Sequence, residues 1–321
     1  MADSPAARSP ATGALRHAGF FYRTVSEYAV TVTGFLRAGL AAGEAGFAAV
    51  PASRAELIRD ALGPDAGLVE FADMTEMGRN PAWIIPRLLM FISRHAGQRI
   101  RYVGEPIWGS RTAAELRETI RHETLINLAF ATADADILCP YDTERLDPAV
   151  ITDARRTHPL LLSGGRRVPS PGYAVQFEIP STGSVPLPTP PSNAMSHRYR
   201  TNLAEVRALV FKHAIDAGLP ESRANDLVLA VSEVAANTLR HTRSHGTLDI
   251  WNDAHEVVCE IRDAGTITDP LAGRRVPSPH ALGGHGLWLV HQVCDLVELR
   301  SGSTGTTVRM HMTIDPVESG I

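Results

Sequence analysis

The spacing of hydrophobic positions predicts different arrangements in the two halves of the chain. In the first half, short apolar runs alternate with longer segments of helical periodicity, which is typical of a mainly parallel sheet covered by helices. The segments are residues 46–50, 52–62, 68–71, 82–95, 100–103, 111–130, 136–139 and 147–157. In the second half, the pattern predicts helices over about 203–217 and 225–241 and strands over 256–263, 296–300 and 305–310.

A proline-rich segment separates the two halves. Seven prolines stand among glycines and serines between Ser163 and His197, so residues 166–196 are predicted to form a semi-rigid linker, with one strand over 173–179. Residues 1–14 are rich in Ala, Ser and Pro and are predicted to be disordered. This leaves one domain over 15–165 and a second over 197–315.

Composition narrows the class of protein. A formal net charge of -4 argues against direct nucleic-acid binding and favours protein partners. Cys139, Cys259 and Cys294 are far apart and are predicted to be buried free thiols in a reducing cytoplasm. Because no apolar run approaches the length of a membrane span, we expect a cytoplasmic protein without membrane contact. His241 and His245 have helical ligand spacing but no third ligand, which argues against a zinc site there.

Three short motifs in the second half carry candidate chemistry. Glu233 and Asn237 are four residues apart and so share a face of the predicted helix. An Asn oxygen suits Mg²⁺ on a phosphate and a Glu can accept a proton, although a solvated helix face would have the same spacing. Asp263 ends a strand on the side of its apolar residues, where an adenine amino group would satisfy the carboxylate.

Glycines complete this set of motifs. Gly265 would let a flat base approach the backbone, although an Asp-x-Gly turn would look the same. Gly283, Gly284, Gly286 and Leu287 open a predicted helix, whose N-terminal N–H groups can bind phosphate.

In this order, the motifs resemble the GHKL-type ATPases, the superfamily of gyrase, histidine kinases and anti-sigma-factor serine kinases. The resemblance covers about 197–313 and is strongest to the anti-sigma kinases. It places Glu233 and Asn237 in the N-box, Asp263 and Gly265 in the adenine box, 283–287 in a glycine box and 305–307 in the closing strand motif. Thr266 and Ile267 depart from the pattern, because the family has a second glycine there.

The resemblance implies an α+β two-layer sandwich in which a mixed sheet backs the helices and ATP lies beneath a lid over 266–285. It implies Mg²⁺ and a catalytic base at Glu233, with Asn237 as metal ligand. It also implies a set of ATP-binding residues: Asn237, Asp263, Gly265, Gly283, Gly284, Gly286, Leu287 and Thr307. In the lid, Arg274 and Arg275 would touch phosphates or a protein partner, or form an exposed basic loop, and Arg240 would be within reach of the phosphates.

The first half resembles the MEDS sensory domain, a degenerate relative of the RecA and KaiC-like α/β fold. The resemblance lies in segments 35–40, 101–108, 123–127, 139–142 and 158–159. It implies a small-molecule ligand whose candidate pocket residues are Glu105, Trp108, Glu123, Tyr141 and Asp142, although packing and capping explain such residues equally well. The expected first strand, 46–50, is followed by neither the glycines nor the lysine of a phosphate loop, so this half is not expected to hydrolyse nucleotide.

The leading hypothesis is a sensory anti-sigma regulator whose second domain binds ATP, phosphorylates a serine on an anti-anti-sigma factor and engages a sigma factor. Three alternatives stay open. A histidine kinase would need a helical hairpin before the ATPase domain, an ATP-gated module would sequester a partner without transferring phosphate, and a repressor would need a DNA-binding motif. The sequence leaves open whether the chain forms a homodimer.

Overall fold

The protein is built around two β-sheets. The structure, a computed structural model, describes residues 15–174, 186–242, 245–278 and 284–314. The N-terminal segment 1–14 and most of the strand expected at 173–179 lie outside these residues. Among the described residues, no helix combines the length and apolar character needed to span a membrane.

The first sheet has seven strands in the order β3-β2-β4-β5-β1-β6-β7, parallel except for the β6–β7 hairpin. The strands are β1 (Arg16–Tyr22), β2 (Ala45–Val50), β3 (Val69–Asp73), β4 (Ile100–Gly104), β5 (Ala135–Asp142), β6 (Leu160–Ser163) and β7 (Arg166–Pro169). The helices are α1 (Val25–Ala41), α2 (Ala52–Leu62), α3 (Met74–Met77), α4 (Ile84–Arg94), α5 (Ala113–Ala129) and α6 (Pro148–Thr157). One apolar cluster packs α1 and α2 on one face, and another packs α4, α5 and α6 on the other.

The first strand is β1, not 46–50 as the sequence pattern predicted. Strand β1 begins with Arg16 and His17, two polar residues that made an apolar strand hard to recognise from the sequence. In the structure, His17 is nevertheless buried. Helix α1 was also missed, because Ala, Gly and Thr interspersed among its apolar residues give little contrast between a hydrophobic and a polar face. The sheet extends through β7 to Pro169, past the expected domain end at residue 165.

The second sheet has five strands in the order β11-β12-β10-β9-β8, and every pairing is antiparallel. The elements are β8 (Met195–Tyr199), α7 (Leu203–Asp216), α8 (Glu221–Thr242), β9 (Gly246–Asn252), β10 (Glu256–Asp263), α9 (His285–Val293), β11 (Leu296–Gly302) and β12 (Gly305–Thr313). The helices share one apolar core with one face of the sheet. This confirms the combination of α/β and α+β folds, but the expected mixed sheet was wrong for the strands described here.

Candidate nucleotide-binding site

Helix α8 carries Glu233 and Asn237 on one side, against the start of α9. A Cβ added to Gly286 would lie 2.9 Å from the Glu233 carboxylate and 3.3 Å from the Asn237 side-chain nitrogen. Only a glycine therefore lets the α9 backbone approach both side chains without displacing them. The structure thus brings two motifs predicted separately into one site.

The N-terminus of α9 borders this site, because Gly286 of its first turn lies against Glu233 and Asn237. Its N-cap is Gly284, in the left-handed conformation with φ 87°, and no side chain of the described residues caps the helix. The first N–H groups of α9 are therefore available to an anionic ligand. Gly283 lies outside the described residues. Leu287 packs on the domain core and lies next to Gly273 of the lid segment.

Asp263 faces helix α8, as the strand pattern predicted. The Thr238 hydroxyl donates to its Oδ2 at 2.6 Å, and the Gly265 amide donates to its Oδ1 at 2.7 Å. Behind Thr238, the Tyr199 hydroxyl donates to the Thr238 hydroxyl at 3.2 Å. These bonds fix the carboxylate, and because each oxygen has two lone pairs, an amino group can still bind.

Sequence reasoning missed Thr238 and Tyr199. The signal for Thr238 was available, because it directly follows Asn237 and belongs on the inner face of α8, where it is buried. Tyr199 comes from strand β8, far away in sequence. Only the fold could place it beside α8.

The closing strand motif contributes a different threonine from the one expected. Thr306 is on the helix-facing side of β12, and its hydroxyl donates to the Gly265 carbonyl at 2.8 Å. Thr307 is on the opposite face with Arg309, because side chains alternate along a strand. The prediction that Thr307 binds the nucleotide therefore conflicts with the register of β12. A Cβ on Gly265 would lie 2.7 Å from Thr242, so packing requires this glycine.

The lid segment does not form an exposed basic loop where it is described. Leu271 is buried within the apolar cluster of the N-terminal domain. Arg274 is only 1% exposed and donates to Glu118 of α5 at 2.5 Å. Arg275 is half-exposed and pairs with Asp269 at 3.6 Å, and Arg240 is exposed near the end of α8. The expectation that Arg274 contacts phosphate is therefore wrong for this structure.

Glu118 is the centre of the contact between the two domains. It is fully buried and accepts hydrogen bonds from Arg300 at 2.6 Å and Arg274 at 2.5 Å, and Arg121 lies 3.3 Å away. Burial by itself raises the pKa of Glu118, but the three arginines outweigh it and lower the pKa to about 2. The carboxylate is therefore ionised and holds the lid to α5 at neutral pH. Nothing in the sequence pattern signalled this role.

The N-terminal domain also caps the far end of α9. The Trp83 indole donates to the His291 carbonyl at 2.6 Å, and the Asn80 amide donates to the same carbonyl at 3.1 Å. The last carbonyls of a helix lack partners within it, so these bonds satisfy groups that would otherwise be buried without one. Both the lid and α9 are therefore held by the first domain.

The five candidate pocket residues of the N-terminal domain do not form one pocket. Glu105 accepts from the Tyr22 hydroxyl at 3.1 Å, and Asp142 pairs with Arg54 at 3.6 Å beside it. Burial raises the pKa of Glu105 to about 7. The remaining three lie elsewhere: Trp108 stacks under Arg111, and Glu123 and Tyr141 are buried beside His158.

Comparisons with known proteins place both halves in families. Residues 16–159 match the family described as MEDS, the methanogen/methylotroph DcmR sensory domain. Residues 196–312 match the histidine kinase-like ATPase domain. The chain therefore joins a MEDS domain to a histidine kinase-like ATPase domain of the GHKL type. No curated protein matches the chain.

Among solved structures, the chain is similar to the RsbU and RsbW domains of Rv1364c from Mycobacterium tuberculosis. The identity is 18%, the TM-score is 0.29, and the match covers 40% of this chain and 34% of that one. The chain thus spans about a third of that structure.

Proposed function

We propose that this chain is an ATP-dependent anti-sigma regulatory factor that phosphorylates a serine on an anti-anti-sigma factor and so controls the availability of a sigma factor. The observation that carries the proposal is the convergence of Glu233, Asn237 and Gly286 at the N-terminus of α9, whose N-cap is a glycine. The match to the histidine kinase-like ATPase domain supports ATP as the ligand.

Each residue has a role that its position supports. Asn237 would hold Mg²⁺ on the ATP phosphates, the first N–H groups of α9 would bind those phosphates, and Asp263 would accept a hydrogen bond from the adenine amino group. Bound Mg²⁺ supplies neutralisation of phosphate charge. Glu233 is the candidate base for the serine hydroxyl, because phosphoryl transfer needs mainly positioning and charge neutralisation.

The chain before α8 favours this function over a histidine kinase. In the fully described segment 186–242, strand β8 and helix α7 precede α8, and β8 pairs into the second sheet. Within that segment there is no separate helical hairpin to carry a phosphorylated histidine. The His197 side chain belongs to strand β8 instead.

Contacts between the domains support regulation by the N-terminal domain. The lid is held through Leu271 in the first domain's core and through the Arg274–Glu118 ion pair. Helix α9 is held through Trp83 and Asn80. Because the lid and α9 both border the nucleotide site, a change in the first domain would alter access to ATP.

The test uses the full chain, labelled ATP, and an anti-anti-sigma factor encoded in the same genome. We expect phosphoserine on that factor, loss of ATP binding in Asn237→Ala, and retained ATP binding without transfer in Glu233→Gln. The matched control is Glu221→Gln, an exposed carboxylate on the same helix, which should transfer phosphate normally.

The other outcomes separate the alternatives. Phosphohistidine on this chain would support a histidine kinase, and ATP binding without any transfer would support the sequestering module. Equal ATP affinity in the wild type and Asn237→Ala would reject the metal assignment.

A further inference from the structure

A buried cluster of metal-ligand side chains lies in the N-terminal domain, on different residues from the candidate nucleotide site. It consists of His17 on β1, Glu123 on α5, Cys139 on β5, and His158 between α6 and β6. All four are at most 1% exposed. One ligand atom from each lies within 4.8 Å of all the others. These residues are separated widely in sequence, so only the fold brings them together.

The distances suit a tetrahedral cation. His17 Nε2 and His158 Nε2 are each 3.3 Å from Glu123 Oε2, and Cys139 Sγ is 3.4 Å from His17 Nε2. Bonds of about 2.0–2.3 Å in tetrahedral geometry put ligand atoms roughly 3.3–3.8 Å apart. A cation at the centre would therefore need only small shifts of the ligands.

Hydrogen bonds from the Nδ1 atoms of His17 and His158 leave the Nε2 lone pairs of both rings directed at the centre of the cluster. His158 Nδ1 lies 2.7 Å from the Ala154 carbonyl, which can only accept, so Nδ1 carries the proton. His17 Nδ1 lies 3.0 Å from Asn127 Oδ1, and the Asn127 amide nitrogen donates to the Thr157 carbonyl at 2.8 Å. His17 Nδ1 is therefore also a donor. Metal-binding histidines are oriented by such bonds to their second nitrogen.

Polar atoms at the centre of the cluster lack hydrogen-bond partners in the described part of the chain. Among the described residues, neither oxygen of Glu123 has a hydrogen-bond partner, and neither does His158 Nε2. The 3.3 Å contacts between them lack hydrogen-bond geometry, and in neutral histidines they bring lone pairs toward a carboxylate. Buried polar groups in this arrangement cost free energy unless a positive charge lies between them.

We propose that His17, Glu123, Cys139 and His158 bind one divalent transition-metal ion of the zinc class. On binding, the Cys139 thiol releases its proton to solvent, and the thiolate and carboxylate together balance the two positive charges of the ion. A neutral site is the form that a buried environment favours. Four protein ligands close the tetrahedral shell, so the ion links β1, α5 and β5 rather than activating a substrate.

The test measures the metal directly, in the full chain, and does not depend on nucleotide or kinase activity. After loading with Zn²⁺ and dialysis, we expect about one ion per chain by mass spectrometry. Loading with Co²⁺ should give visible bands of tetrahedral cobalt and a near-ultraviolet thiolate charge-transfer band. Less than about one-tenth of an ion per chain in the folded wild type, with no cobalt bands, would overturn the proposal.

Variants identify the ligands. Cys139→Ser should lose the charge-transfer band, whereas Cys259→Ser should keep it, because Cys259 is an equally buried free thiol in the other domain. Asn127→Ala leaves all four ligands in place and should weaken metal affinity about 10–100-fold by freeing the His17 ring. A folded Cys139→Ser protein with the wild-type cobalt spectrum would refute the site. If that variant does not fold, the wild-type spectrum and the Asn127→Ala affinity decide the question.

Discussion

Replacing Glu118 with glutamine should destabilise the protein far more than the loss of a surface ion pair. Glu118 is fully buried and is the shared partner of Arg121, Arg274 and Arg300. Its pKa falls from 4.5 to about 2. At 1.36 kcal/mol per pKa unit, folding favours the ionised over the protonated carboxylate by about 3 kcal/mol, which is in the range of measured losses on breaking a buried ion pair.

The assay is urea unfolding of wild type and Glu118→Gln, with Glu144→Gln as the control. Glu144 also pairs with an arginine, at 2.9 Å, but both side chains are more than half exposed, so its loss should cost less than about 1 kcal/mol. As a second measurement, trypsin should cut Glu118→Gln faster after Arg274, because this arginine is buried in the wild type.

The pH dependence has a defined sign. The folded-state pKa of Glu118 is depressed, so its contribution is fully present above pH 4.5 and is lost as the pH falls toward about 2. The difference in the free energy of unfolding between wild type and Glu118→Gln should therefore be about 1 kcal/mol smaller at pH 3.5 than at pH 7. If Glu118→Gln costs no more than Glu144→Gln at pH 7, the three arginines do not hold this carboxylate.

Three further predictions concern the second domain. Asp263→Asn should weaken ATP binding by about 1–3 kcal/mol and reduce the preference for ATP over GTP, measured by calorimetry; an unchanged preference would exclude a role in base recognition. Gly286→Ala should weaken ATP binding because its Cβ would crowd Glu233, whereas Gly34→Ala, where a Cβ meets nothing within 4 Å, should bind ATP normally; matching affinities would contradict the close approach. For His311, burial lowers the pKa, but hydrogen bonds to two glutamates raise it to about 9. Its stabilisation is therefore complete below pH 6.5 and is lost as the pH rises through 9, so His311→Gln should flatten this part of the stability profile, and an unchanged profile in urea unfolding would argue against the assignment.

Local pattern was sufficient to place three side chains of the candidate nucleotide site on the correct faces of their elements. Period two placed Asp263 on the inner face of β10, and helical spacing put Glu233 and Asn237 on one side of α8. Both predictions depend on neighbours within one element. The family resemblance, by contrast, implied Thr307 where the register of β12 presents Thr306, because a motif gives the residue types but not the face that each side chain takes.

Contacts between distant segments could not be read from the sequence. Glu118 and Arg274 are each ordinary charged residues in their own segments, and their pairing depends on how the two domains pack. Helical spacing marks a pair such as His241 and His245, whereas the buried cluster gathers residues from two strands, a helix and a loop. Neighbouring strands of a parallel sheet bring together residues that are far apart in sequence, and the spacing of residues within one segment cannot reveal these contacts.

Helix α5 carries both Glu118 and Glu123, so this single helix connects the buried cluster of metal-ligand side chains to the lid. The two carboxylates are five positions apart, about 7.5 Å along the axis. Over so short a distance, about one and a half turns, an α-helix moves as a rigid unit. A displacement of Glu123 would therefore also move Glu118 and, through it, Arg274 and Arg300 across the domain boundary. Under the proposed function, this one helix would couple ligand binding in the first domain to nucleotide access in the second.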